Sequence, residues 1–117
     1  MAEAGLFRHS TDRATFNAGD VIFQAGEPAD VMYVVQAGQV DIVAKGEVIN
    51  TLGEGEFFGE MALIDHSPRS ASAVAQTACT ITRVDETSFV FSLQNNPYFA
   101  LQLLRTLADR IRRRTAV

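Results

Sequence analysis

Residues 16–42 read "FNAGDVIFQAGEPADVMYVVQAGQVDI", and this stretch decides the fold class. Short apolar runs such as "VIFQ" (21–24) and "VMYVVQ" (31–36) are rich in β-branched and aromatic residues, which favour strands. Each run is bounded by a turn that contains glycine. No periodic segment of helix length interrupts the runs, so the stretch predicts consecutive antiparallel β-strands.

The same pattern continues outward to about residue 84, with apolar and polar side chains alternating along the predicted strands. Val40 and Ile81 are expected to face a core, whereas Thr82 is expected on the opposite, polar face. The spacing predicts a mainly β fold, an antiparallel β-roll resembling a jelly roll or barrel, over about residues 15–84. The further predicted strands are residues 39–44, 47–52, 71–75 and 79–84.

Two C-terminal α-helices are predicted over about residues 86–115. In "DETSFVFSLQNNP" (85–97), Phe89 and Leu93 lie four residues apart and acidic residues come first, which is typical of a short helix that ends before a proline. A longer helix then begins at Pro97, because proline suits the first helical position.

The longer helix carries a broad apolar face. A helix at the end of a chain normally packs on its own domain, but a seam of this width also suits pairing with a second copy. A homodimer through residues 98–114 is therefore one of two expectations, the other being docking on the same chain. The seam residues, spaced 3, 4 and 3 apart, are Leu101, Leu104, Ala108 and Ile111, with Leu103 and Leu107 beside them.

The composition is that of a soluble globular protein with room for one domain, residues 1–117. Hydrophobic residues make up 47% and charged residues 21%, which argues against disorder, and no apolar run reaches the length of a membrane-spanning helix. The N-terminus lacks a secretion signal, so a cytoplasmic protein with no membrane partner is expected. Cys79 cannot form an internal disulfide and is expected to be a buried core thiol.

The net charge of −4 hides an uneven distribution, because residues 105–117 hold five of the ten basic residues. The rest of the chain is acidic, which argues against broad nucleic-acid binding by the whole domain. The basic end suits a nucleic acid, an acidic partner, or simply the negative C-terminal end of a helix dipole. Nucleic acid is therefore a disfavoured partner.

Residues 55–74, "GEFFGEMALIDHSPRSASAV", place a glutamate and an arginine around a turn of small residues. Gly59 permits a sharp bend, about one turn of helix follows, and Arg69 begins an extended segment after Pro68. The first NH groups of such a helix and a guanidinium together suit a phosphate. Glu60 would repel that phosphate unless it accepts hydrogen bonds from hydroxyl groups of the same ligand. A phosphate joined in a small ring to a ribose supplies both features, and a plain Glu60–Arg69 ion pair is the alternative.

The segment "FGEMALIDHSPRSASAV" (58–74) resembles the phosphate-binding cassette of the cyclic nucleotide-binding domain family, which includes catabolite activator-like regulators, cyclic-nucleotide-dependent kinases and gated channels. The upstream stretch 16–42 and the two C-terminal helices are also similar to that family, so the likeness covers roughly residues 14–114. The resemblance implies a β-roll with a short cassette helix and two C-terminal α-helices.

The resemblance also implies a cyclic nucleotide ligand, cAMP or cGMP, and no cofactor, metal or catalytic residue. Glu60 would bind the ribose 2′-hydroxyl and Arg69 the cyclic phosphate. Ser70 would contact the phosphate or the base, so it does not decide between the two nucleotides. Arg110 and Arg114 of the last helix would cap the base. The implied ligand-binding residues are Phe58, Gly59, Glu60, Met61, Ala62, Arg69, Ser70, Ala71, Arg110 and Arg114.

The function implied by the resemblance is non-catalytic sensing, with cAMP as the favoured ligand and with C-terminal helices that reposition to signal to an unknown protein partner. A stand-alone sensor, a sensor fragment of a larger regulator, and a ligand-free interaction or dimerisation module of the same fold are the alternatives. An enzyme is disfavoured because a metal site needs converging histidines, whereas the sequence has only His9 and His66. No nucleophile stands beside a base either.

Overall fold

The computed structural model describes residues 12–115, with side chains as far as Arg112. Within these residues, strands precede helices, which confirms the predicted mainly β fold with a short intervening helix and two C-terminal helices. The elements are β1 (Arg13–Phe16), β2 (Val21–Phe23), β3 (Val31–Ala37), β4 (Val40–Ala44), β5 (Glu47–Leu52), β6 (Phe57–Phe58), α1 (Met61–Ile64), β7 (Ser72–Ala75), β8 (Cys79–Asp85), α2 (Glu86–Asn95) and α3 (Pro97–Thr115).

The strands form two four-stranded sheets, in the orders β1-β8-β3-β6 and β2-β7-β4-β5. Every pairing is antiparallel, and the longest one sets Met32 opposite Val84 and Val35 opposite Ile81. Strands that follow one another along the chain often lie in different sheets, so the chain crosses between the sheets repeatedly. This is the β-roll that the glycine-bounded runs predict.

The core lies between the two sheets and draws side chains from both of them. Large residues such as Phe58 alternate with the small Ala73 and Ala75 of β7, which lets the sheets approach closely. Cys79 is buried there as predicted, and burial raises the pKa of its thiol, with a smaller contribution from the charge of Asp20. The buried cluster comprises Phe23, Val35, Val40, Leu52, Phe58, Ala73, Ala75, Cys79 and Ile81.

Three details differ from the sequence prediction. Strand β1 lies mostly in a segment for which no strand was predicted, and β6 is a two-residue strand, too short to show a period. Thr82, expected on a polar face, is fully buried. Its strand is flanked on both sides by β1 and β3, and its hydroxyl oxygen accepts a hydrogen bond from Gln36 Nε2 at 2.9 Å. A buried polar group is tolerated when it is hydrogen-bonded in this way.

The helical segment, residues 87–115, forms a compact unit of its own. Phe89 of α2 and Phe99 of α3 are both buried and meet edge to face, with ring centroids 5.9 Å apart. The predicted seam of α3 is largely exposed: Leu104 keeps 63% and Ile111 62% of its surface accessible, whereas the neighbouring Leu103 is buried.

Among the helices in residues 12–115, none has both the length and the apolar character needed to cross a membrane. For residues 1–14 the sequence leaves two expectations open, a small helix or a frayed end, and this segment lies almost wholly outside the described residues.

Candidate functional site

The segment that links β6 to β7 builds the candidate site. It leaves β6 at the buried Phe58, turns at Gly59 with φ +76°, and forms the single turn of α1. Within α1, the amides of Leu63 and Asp65 donate to the carbonyls of Glu60 and Met61 at 2.9 and 3.0 Å. Ala62 and Leu63 are buried, so one side of the turn is anchored in the fold.

Glu60 is the N-cap residue of α1 and only 1% of its surface is exposed. It makes no side-chain capping hydrogen bond, although it does interact within the protein. Its Oε1 atom is buried and accepts no hydrogen bond from the described residues. A carboxylate is rarely buried to this degree in an ordinary surface turn.

Arg69 follows the turn in the chain and is also buried, with 8% of its surface exposed. Its Nη1 donates to the carbonyl of Gly59 at 3.0 Å and its Nη2 donates to the carbonyl of Val31 at 2.9 Å. These bonds use two of the five N–H donors that a guanidinium carries, so donors remain for an anion. The structure thus joins the glutamate's end of the turn to the arginine through the backbone of Gly59.

Aromatic rings surround the guanidinium. Arg69 Cζ lies 4.1 Å from the centroid of the Phe23 ring and 5.4 Å from that of Tyr33. The two rings stack on each other at 5.8 Å, and Phe58 lies 5.2 Å from Tyr33. Both distances to Arg69 are within the range of cation–π attraction.

The loop between β2 and β3 holds the backbone of Arg69. The amide of Gly26 donates to the Arg69 carbonyl at 2.7 Å, and the Arg69 amide donates to the carbonyl of Glu27 at 2.9 Å. Burial lowers the pKa of the Arg69 guanidinium, while Tyr33 and the charges of Asp30 and Glu27 oppose that effect. The side chain stays charged, since arginine is not deprotonated in proteins.

Gly59 is the residue that allows the arginine to sit so close to the turn. A Cβ atom built on Gly59 would lie 2.6 Å from Arg69 Nη1 and 3.4 Å from its Cζ. The positive φ of this residue also lies where L side chains are strained. The glycine therefore serves both the bend and the contact.

The loop between α1 and Arg69 is closed by its own side chains. Asp65 accepts hydrogen bonds from the hydroxyl and the amide of Ser67, and the hydroxyl bond is the main reason that the pKa of Asp65 lies below its usual value. His66, exposed and at φ +60°, sits at the tip of this loop.

The structure brings part of the predicted set together. Phe58, Gly59, Glu60 and Ala62 lie in the turn itself, and Arg69 binds the carbonyl of Gly59. Met61 and Ser70, which follow Glu60 and Arg69 in the chain, are exposed, and Ala71 is half-buried. Arg110 lies on α3, in the separate helical unit, and the side chain of Arg114 lies outside the described residues.

Sequence reasoning missed the surroundings of Arg69. Val31 and Phe23 come 38 and 46 residues before Arg69 in the chain, and no local pattern predicts contacts over such separations. Phe23 was interpreted only as a strand residue. The Gly26-Glu27 pair, which holds the backbone of Arg69, does lie within the stretch 16–42 that resembles the family. The resemblance gave this pair no role at the arginine.

Across the described residues, no group of three or more histidine, cysteine, aspartate or glutamate side chains is arranged to hold a metal ion. His9 lies outside those residues.

Comparison with known proteins gives a consistent result. The family profile described as "Cyclic nucleotide-binding domain" matches residues 13–96. A cAMP-dependent protein kinase regulatory subunit of Debaryomyces hansenii is 41% identical over 76 residues, which are 63% of this chain and 17% of that protein. A CRP-like cAMP-activated global transcriptional regulator of Mycobacterium tuberculosis is 31% identical and aligns with 97% of this chain and 58% of its own length.

Among solved structures, the catabolite activator protein of Thermus thermophilus superposes with a TM-score of 0.81 at 31% identity, covering 95% of this chain and 55% of that one. The chain therefore spans less than two thirds of each of these three proteins.

Proposed function

The chain belongs to the cyclic nucleotide-binding domain family, and from this we propose that it is a non-catalytic sensor of a cyclic purine nucleotide, with cAMP as the expected ligand. The observation that carries the proposal is the pair of buried charged side chains, Glu60 at the start of α1 and Arg69 bound to the carbonyl of Gly59. Burying two charged groups costs free energy unless hydrogen bonds or opposite charges compensate each of them.

Arg69 is the proposed partner of the cyclic phosphate. Its guanidinium is held by two carbonyl groups and retains donors, so it can bind an anion without first being ordered. The backbone of Gly59, Met61, Ala62, Ser70 and Ala71 would supply further donors around the same phosphate. Phe58 would anchor this backbone from the core.

Glu60 is the proposed partner of the ribose 2′-hydroxyl. A carboxylate is an acceptor only, so it binds a hydroxyl and rejects a phosphate. Its place next to Gly59 puts the sugar site one residue from the carbonyl that holds Arg69. A ribose and a phosphate joined in one ring fit this adjacency.

The choice of nucleotide is proposed from the similar proteins. Both of the relatives described above carry cAMP in their names. Arg110 and Arg114 are the proposed contacts to the base, and cGMP is the competing ligand. The proposed output is a movement of α2 and α3 that a protein partner recognises, whether the sensor acts alone or within a larger regulator.

Calorimetric titration with cAMP and with cGMP tests the proposal. We expect Arg69→Ala to weaken nucleotide binding by about 2–5 kcal/mol, because the phosphate would lose its charged partner, and Glu60→Ala to weaken it through the ribose. Arg83→Ala is the matched control. Arg83 is an exposed arginine on β8, and its Nε lies 2.9 Å from Asp12 Oδ1. Unchanged affinity in both site variants would remove this turn as the binding site.

A homodimer through residues 98–114 is a second proposal, and the exposure of the α3 seam favours it. Leu101, Leu104 and Ile111 share one helical spacing and remain 41%, 63% and 62% exposed. Apolar side chains at such positions are typical of a helix-pairing surface.

A further inference from the structure

Phe23 lies against the charged group of Arg69 although it belongs to strand β2, 46 residues earlier in the chain. The Arg69 Cζ atom is 4.1 Å from the centroid of the Phe23 ring, well inside the distance over which a ring face attracts a cation. Phe23 is 8% exposed, so this contact is largely shielded from water. Desolvated contacts of this kind are the stronger ones.

The fold fixes the position of this ring. Phe23 ends β2, and the pairing of β2 with β7 shifts its register between Val21 and Phe23. Such irregularities change the direction of a side chain. The ring is then packed against Tyr33 at 5.8 Å and against Phe58 at 6.0 Å.

We propose that Phe23 is a positioning residue for nucleotide binding, because its ring supports the guanidinium of Arg69 in the orientation that receives the phosphate. The inference rests on the proposed function, since Arg69 is the phosphate partner there. The ring acts together with the carbonyls of Gly59 and Val31, which hold two edges of the same group.

An aromatic ring suits this task for an electrostatic reason. A carboxylate in the same place would neutralise the guanidinium and compete with the phosphate. A ring attracts the cation through its face, carries no net charge, and accepts none of the N–H donors in a conventional hydrogen bond. Without it, the guanidinium would be held by the two carbonyl groups alone and would be less well ordered before the nucleotide binds, which weakens binding.

The first test compares Phe23→Leu with Phe16→Leu by calorimetry with cAMP and with cGMP. Phe16 also packs against the core but does not lie over Arg69, so it controls for the loss of an aromatic residue. We expect Phe23→Leu to lower affinity by about 3- to 30-fold and Phe16→Leu to leave it within about 2-fold. In the Arg69→Gln background, Phe23→Leu should have no further effect.

The second test keeps the shape of the ring, so it works even if Phe23→Leu unfolds the protein. Phenylalanine at position 23 is replaced by analogues with one, two and three fluorine atoms, which withdraw electron density from the ring face. We expect affinity to fall stepwise with each fluorine while thermal unfolding stays nearly constant, a response that packing alone does not produce.

Equal affinity across the fluorinated series, with wild-type protein that binds a nucleotide and Arg69→Gln that binds it measurably more weakly, would overturn the role of Phe23 and leave the proposed function intact. A wild-type protein that binds neither cAMP nor cGMP would overturn both.

Discussion

At the scale of single residues, Gly59 determines both the bend of the backbone and the space available to the Arg69 guanidinium. Its φ of +76° favours glycine, and its missing Cβ leaves the space that Arg69 Nη1 occupies. A substitution here therefore has two separable effects, strain in the turn and displacement of the guanidinium.

We expect Gly59→Ala to lower both the thermal stability and the nucleotide affinity, because the new Cβ would lie 2.6 Å from Nη1. Gly46→Ala is the matched control: its φ of +78° gives the same strain of about 1–2 kcal/mol, but nothing lies within 4 Å of the added Cβ. Thermal unfolding and calorimetry on both variants separate the effects. Equal losses of affinity in the two would contradict the role given to this contact.

Asp65 gives a prediction in pH. Because the hydroxyl of Ser67 lowers its pKa, the loop is stabilised above the usual carboxyl range, and that contribution is lost as the pH falls through the lowered pKa. Ser67→Ala should raise the pKa of Asp65 toward its ordinary value. Titration of the Asp65 carboxyl by NMR measures this directly, and Ser70→Ala in the same region serves as the control. If the pKa of Asp65 were unchanged in Ser67→Ala, the hydroxyl of Ser67 would not be the main cause of the lowered pKa.

At the scale of elements, α3 is notable because it keeps large apolar side chains exposed. Its predicted seam and its exposed side chains coincide at Leu101, Leu104 and Ile111, whereas Leu103 is buried. The periodicity predicted an apolar face but not which of its two edges would remain accessible. That choice depends on tertiary packing, which a helical pattern does not contain.

The dimer proposal predicts that Leu104→Glu will produce a monomer, because an unpaired carboxylate at a seam position is costly to bury. Light scattering during gel filtration measures the mass. Val48→Glu is the control, since Val48 is a similarly exposed apolar residue on β5 and not part of the seam. A wild-type protein that is monomeric at high micromolar concentration would exclude the seam as a stable interface.

The positions of the strands in the sequence were easier to predict than the pairing of the strands within the sheets. The segment 47–52 was predicted and found as β5 with the same bounds, and β8 extends one residue beyond its prediction. Strand β6 was missed because two residues show no alternation, although both Phe57 and Phe58 are buried. Strand order within the sheets is set by packing between distant segments, which local patterns do not encode.

At the scale of the whole molecule, the sequence predicted that Glu60 and Arg69 belong to one turn segment, but not what holds Arg69 there. Their role in binding a ligand stays a prediction. Glu60 and Arg69 were expected together because they flank one short turn. The ring of Phe23, the carbonyl of Val31 and the loop at Gly26 reach Arg69 only through the folded sheets. Whether residues 1–117 form one domain stays a prediction, as do the cytoplasmic location and the protein partner.

Ligand binding should be visible in the stability of the whole protein. A nucleotide present at 100 times its dissociation constant adds about 2.7 kcal/mol to the free energy of unfolding. For a domain of this size, that raises the melting temperature by roughly 10 °C. Thermal unfolding with cAMP, cGMP and the non-cyclic AMP measures the shift. No shift with either cyclic nucleotide would favour the ligand-free interaction module.

The burial of Cys79 has a practical consequence for following such a protein in action. It is the one cysteine in the sequence, only 4% of its surface is exposed, and burial keeps its thiol in the unreactive protonated form. A cysteine introduced at an exposed position of α3 would therefore accept a spin label or fluorophore selectively in an otherwise native background. With a second cysteine introduced at an exposed position of a strand, the distance between the two labels, recorded with and without nucleotide, would test the proposed movement of the helix.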